Sequence, residues 1–146
     1  MNLQSTNIFA ITDLFDIAFL ISDLHGKIIF TNSYFQEMFD YSFNETIGES
    51  IDIIIPAPHR RQHQQYMENY RTSNHGKFTP KILGKTRLLS ALKKNGEEID
   101  IKLNVNELSL LDNSYYFACI ENGHGFHDSK NQIALSCYLA IIELET

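Results

Sequence analysis

In the run from Glu98 to Leu108 apolar and polar residues alternate as far as Asn106. Ile99, Ile101, Leu103 and Val105 fall on one face, and Asp100, Lys102, Asn104 and Asn106 on the other. A period of two predicts a strand with one face toward a core. Upstream, Thr86 to Lys94 reads as a second strand, and Asn95-Gly96 is a hairpin turn signal. Downstream, Asp112-Asn113 turns the chain into a last strand, Tyr115 to Ile120. Of the two tyrosines that open it, one is expected in the core and one at the surface. Near the start, AFLISD (Ala18 to Asp23) and KIIFTN (Lys27 to Asn32) flank His25-Gly26, the pattern of a hairpin.

Helical spacing fills the middle. Asn32 or Ser33 can cap a helix through Phe39, with Phe35, Met38 and Phe39 apolar. FNETIGES reads as a short, capped turn of helix interrupted by Gly48. An apolar run, Ile51 to Ile55, stops at Pro56-Ala57-Pro58. Pro58 suits the first turn of a new helix, which runs through HRRQHQQYMENYR and ends near Ser73-Asn74-His75-Gly76. In it His59, His63, Tyr66, Met67 and Tyr70 share one face, expected to look at the core. Arg60, Arg61, Gln64 and Glu68 are expected to turn away. Two flanking segments complete the chain. Asn2 to Asp16 suits a short amphipathic helix, and a polar, Gly-rich linker after Glu121 leads to an apolar helix, Gln132 to Glu145. That last helix is apolar around too much of its circumference to stand in water. The order is strand, strand, helices, then three antiparallel strands, an α+β pattern. It divides into a flanking helix (1–13), a domain (14–121) and a linker with an apolar helix (122–146).

Composition narrows the function classes. A chain of 146 residues with 43% apolar and 21% charged residues is one soluble-type domain. No apolar run reaches a membrane span, and the first sixteen residues hold two Asp and no basic residue, unlike a secretory signal. Two cysteines, Cys119 and Cys137, are too few for a disulfide scaffold, so the cytoplasm is the expected compartment. The net charge of −6 argues against nucleic acid. Nine of the twelve Lys and Arg nevertheless lie between His59 and Lys94. That segment is either a solvated face or a rim for an anionic ligand group. The seven glycines are scattered at turns and form no phosphate loop, and no nucleophile elbow or paired carboxylate stands at a convincing site. The expectation is therefore no enzyme. His59 and His63 are spaced to share a zinc, but no nearby Asp, Glu or Cys completes a set.

Three stretches carry a resemblance. These are AFLISDLHGKIIFTNSYFQEMFDYSFNETIGESI, the Pro-x-Pro-His-Arg-x-x-His-x-x-Tyr run from Pro56 to Tyr66, and LLSALKKNGEEIDIKLNVNEL. Together they are similar to a PAS domain, the sensory module of many bacterial signalling proteins, over about Leu14 to Glu121. The resemblance implies a five-stranded antiparallel sheet with helices on one face and a ligand between the sheet and the central helix. In its central helix the chain resembles the oxygen-sensing heme PAS domains. Their iron ligand is a His in an Arg-x-x-His-x-x-Tyr setting, matched by Arg60, His63 and Tyr66. Their distal Arg is matched by Arg87, and the apolar far side of the heme by Leu103 and Val105. The implied cofactor-binding set is His63, Tyr66, Met67, Arg87, Leu89, Leu103, Val105 and Phe117. The light-sensing flavin relatives need a cysteine in the central helices, and none precedes Cys119. The implied partners are a second copy, in a homodimer, and a downstream signalling effector, with no nucleic acid and no membrane. The alternative is a ligand-free PAS module for interaction or dimerisation, its cavity filled by side chains. In that alternative His63 is a half-buried, satisfied helix histidine.

Overall fold

The computed structural model describes Thr12, Leu14 and residues 16–72, 86–110 and 112–123. The expected flanking helices, the end of the central helix and Cys137 lie outside the described residues.

The first hairpin pairs β1 (Ala18–Asp23) with β2 (Ile28–Thr31), antiparallel, with an irregularity between Ile21 and Ser22. Its turn is set by Asp23, whose carboxylate accepts from the backbone N–H of His25 and of Lys27, each at 2.9 Å. Gly26 supplies the positive φ (87°) that the turn requires. Three helical pieces follow: α1 (Ser33–Phe39), α2 (Phe43–Thr46) and a 3-10 helix (Ile51–Ile54). Asn32 caps α1, as its residue type allows. Ser42 and Glu45 form a reciprocal capping box on α2, the S-x-x-E signature spelled out by the sequence. The apolar run before Pro56 is short and proline-stopped, and it closes as a 3-10 turn with no fully buried residue. Then comes α3 (Ala57–Thr72), the longest helix described.

Three long strands close the sheet: β3 (Arg87–Leu92), β4 (Glu98–Leu110) and β5 (Asn113–Asn122). The order is β2-β1-β5-β4-β3, and every neighbouring pair is antiparallel. The Asn95-Gly96 signal makes the β3–β4 turn, with Gly96 at φ 90°.

Register fixes the two faces. Ala18 stands opposite Ile120, Leu20 opposite Ala118, Leu103 opposite Ile120 and Val105 opposite Ala118. These residues, with Ile101 and Ala91, face the helices and pack with Phe35 and Phe39 of α1. The two rings of α1 are 4.6 Å apart. The other face carries Phe19, Ile21, Phe30 and Phe117, all at or below 2% exposure. The rings of Phe19 and Phe117 meet there at a tilt, with centroids 5.3 Å apart. Both faces of the β1–β5 region are therefore buried. This corrects the expectation for the tyrosine pair: Tyr115 and Tyr116 point to opposite faces, yet both are buried.

Candidate functional site

The wall of the candidate site is the helix face of β3 and β4. Arg87 stands opposite Leu103, and Leu89 opposite Ile101, so both share the face of Leu103 and Val105. This wall is incompletely covered. Leu103 and Val105 are only partly buried, and Leu89 is 38% exposed. The neighbouring Ile53 and Ile54 of the 3-10 helix are also only partly buried. The helices cover the sheet unequally. α1 packs closely on β1 and the 3-10 helix reaches β3, but α3 approaches no described strand as closely. The helix face of β3 and β4 thus keeps apolar surface that the described helices cover only in part.

From α3, His63 and Met67 are half-buried and turn inward, one helical turn apart. His59, predicted on the same face, is exposed. Arg60, predicted to turn away, is half-buried, because its Nε donates to the carbonyl of Ile55 at 2.8 Å. The side chain of Tyr66 lies outside the described residues. Burial pushes the His63 imidazole below the ordinary histidine value, and the Asp52 carboxylate opposes it. Its Nδ1 is buried and has no hydrogen-bond partner among the described residues. An orphaned ring nitrogen inside a fold is uncommon, since buried polar groups nearly always find partners.

Phe117 is the exception in the predicted set. It pairs in register with Asn106 and Ile21, on the face away from α3. Period-two geometry forbids its reaching the same space as Leu103 and Val105. Met67 is displaced more subtly. Its thioether end lies on Gly26 of the β1–β2 turn, where an added Cβ would meet Met67 Cε at 3.2 Å. The sequence reading missed Asp52, whose carboxylate accepts from Gln64 Nε2 at 2.5 Å and ties α3 to the 3-10 helix. An acid inside an apolar run was the available signal.

The basic segment is partly neutralised. Lys93 pairs with Asp40 at 3.2 Å and Glu97 at 3.6 Å, and Lys94 pairs with Glu45. Hydrogen bonding to these carboxylates raises both lysines above their usual range. A cleft of about 380 Å³ opens elsewhere, between α1 and the ends of β1, β4 and β5. Asp16, Tyr34, Met38 and Asp100 help line it, and none of the predicted site residues does. No helix among the described residues is long and apolar enough to cross a membrane.

The match to known families spans this whole arrangement: the model of the PAS domain fits residues 16–122. The chain belongs to the PAS domain family. Among curated PAS-type relatives it is 26% identical over 113 residues to the sensor protein FixL of Bradyrhizobium diazoefficiens, covering 77% of this chain and 22% of that one. It is 27% identical over 105 residues to the oxygen sensor protein DosP of Escherichia coli, covering 72% of this chain and 12% of that one. The chain thus spans less than a quarter of the length of either relative. A solved PAS domain from Desulfitobacterium hafniense superposes with TM-score 0.61 at 19% identity, covering 76% of this chain and 96% of that one. The domain is of a sensory type, homologous to sensor proteins, and its fold is the PAS fold.

Proposed function

We propose that the domain is a signal-transduction module that holds a small molecule or cofactor between α3 and the helix face of the sheet, and that the cofactor is heme. The observation that carries this reading is the buried Nδ1 of His63, which lacks a partner among the described residues. A histidine kept only for packing would be expected to hydrogen-bond, whereas a resident ligand would give this imidazole an occupation. The similarity to FixL and to the oxygen sensor protein DosP supports the same choice.

The residues on hand fit such a group. His63 would ligate the iron. Leu89, Leu103 and Val105 would supply the apolar wall that keeps water from it. Arg87, on the same face, would donate a hydrogen bond to bound gas. Tyr66 completes the α3 side of the set, while Met67, which lies on Gly26, and Phe117, which lies behind the sheet, are no longer part of it. When bound, heme supplies an iron that takes up a gas or changes redox state. The protein's share is to bind, orient and exclude water, and then to report. The report goes to a second copy in a homodimer and to a downstream effector, in the cytoplasm. The domain itself catalyses nothing in this reading.

The test is a hemin titration of the purified chain, followed by absorbance between about 350 and 600 nm. A sharp Soret band is expected, and it should be lost in His63→Ala but not in Phe117→Leu. Circular dichroism of each variant keeps loss of fold apart from loss of ligand. A folded parent with which hemin keeps its broad free-hemin absorbance overturns heme and leaves the ligand-free interaction module. A Soret band unchanged in His63→Ala removes that residue from the role.

A further inference from the structure

We propose that Met67 is a positioning residue that couples the tilt of α3 to the β1–β2 turn, so that the turn reports what happens at His63. This rests on the ligand-binding reading above and names how that site signals. His63 and Met67 sit one turn apart on one face of a single helix, so neither moves without the other. The thioether end of Met67 lies on the backbone of Gly26. A Cβ at that glycine would stand 3.2 Å from Met67 Cε, 3.4 Å from its Sδ and 3.3 Å from Ile51 Cγ1. Three elements therefore close on one backbone point: α3, the 3-10 helix and the turn.

The turn is built to transmit. The N–H of Gly26 donates to Asp23 at 3.1 Å, and its carbonyl accepts from the N–H of Ile51 at 2.8 Å. The Asp23 carboxylate holds His25 and Lys27. Two further ties of α3 among the described residues lie along the same edge. Arg60 reaches the carbonyl of Ile55, and Gln64 reaches Asp52. No described strand is approached as closely. Among the described residues these ties hold one side of the helix, and a tilt about them would drive Met67 against Gly26. Asp23 at the root of the turn pairs with Tyr115 of β5, so the displacement enters the middle of the sheet.

Hydrogen exchange on the full chain tests this, with Met67→Ala and Met67→Leu beside the parent. Without any ligand, Met67→Ala should speed exchange at Gly26 and Lys27 about tenfold and leave Val105 and Ala118 of the β4–β5 ladder unchanged. Met67→Leu, which refills the volume, should return the turn to within about twofold of the parent. Unchanged exchange at the turn, or equal acceleration across the whole sheet, overturns the coupling. With hemin bound, protection of Gly26 and Lys27 should shift in the parent and not in Met67→Ala, although both show the Soret band. A Soret band with an unresponsive turn in the parent also overturns the coupling. A parent with no Soret band overturns heme instead, and the ligand-free arm decides the coupling alone.

Discussion

Asn32 offers the sharpest test of how the helix layer is fastened to the sheet. Its side chain is completely buried. Oδ1 accepts from the N–H of Phe19 at 2.8 Å and of Phe35 at 3.1 Å, and Nδ2 donates to the carbonyl of Ile17 at 2.9 Å. One amide thereby caps α1 and holds the start of β1. Asn32→Ala strips partners from two buried donors and one buried acceptor. Leaving a buried polar group unsatisfied costs about 1–3 kcal/mol, and a water admitted to the vacated space offsets part of it. The expected loss is about 3–5 kcal/mol, a large share of the roughly 5–15 kcal/mol that holds a domain together. At about 4 °C per kcal/mol, thermal melting followed by circular dichroism should fall by roughly 12–20 °C. Asn32→Asp refines the argument. A carboxylate keeps both acceptor bonds but sets an oxygen against the Ile17 carbonyl. Burial favours its neutral form, so this variant should regain stability as the pH falls and the protonated acid donates to that carbonyl. Melting of Asn32→Ala within about 2 °C of the parent would refute the reasoning.

Three further outcomes are expected. Phe117→Ala should lower stability by about 3–5 kcal/mol through the lost contact with Phe19, while the hemin affinity of the folded fraction stays within about twofold, because the ring lies behind the sheet. The Glu45 carboxyl is held down to about 2 by its hydrogen bonds with Lys94 and with the Ser42 backbone. A depressed carboxyl stabilises the fold above its ordinary value and loses that effect as the pH drops. Lys94→Met should therefore melt below the parent near pH 7, and the gap should close between about pH 4.5 and 2. Leu88 is 69% exposed on edge strand β3, and Leu88→Lys should leave the melting temperature within about 2 °C.

The legible parts of the fold were those written in local chemistry. Asn-Gly set the β3–β4 turn, the capped turn read in FNETIGES is α2, and alternation as far as Asn106 announced β4. β5 was harder to read. Its run Tyr115 to Ile120 is apolar on both faces, so the sequence contains no polar stripe to say which parity meets the helices. Phe117 was assigned to the wrong side for that reason. The long helix was legible in its period and less so in its rotation. A smooth helical projection puts His59 inside and Arg60 outside, but a free carbonyl at Ile55 draws the Arg60 guanidinium inward. His63 was singled out by its motif, whereas the burial of its Nδ1 with no partner among the described residues is visible only in three dimensions.

Ala18, the first residue of β1, stands opposite Ile120, near the finish of β5. A mechanical load applied through the two flanks would consequently bear on one end of the β1–β5 ladder. The rungs would part singly, as in a zipper, rather than all together in shear. Small forces from attached segments would be felt first at that seam, well before the β3–β4 hairpin yields.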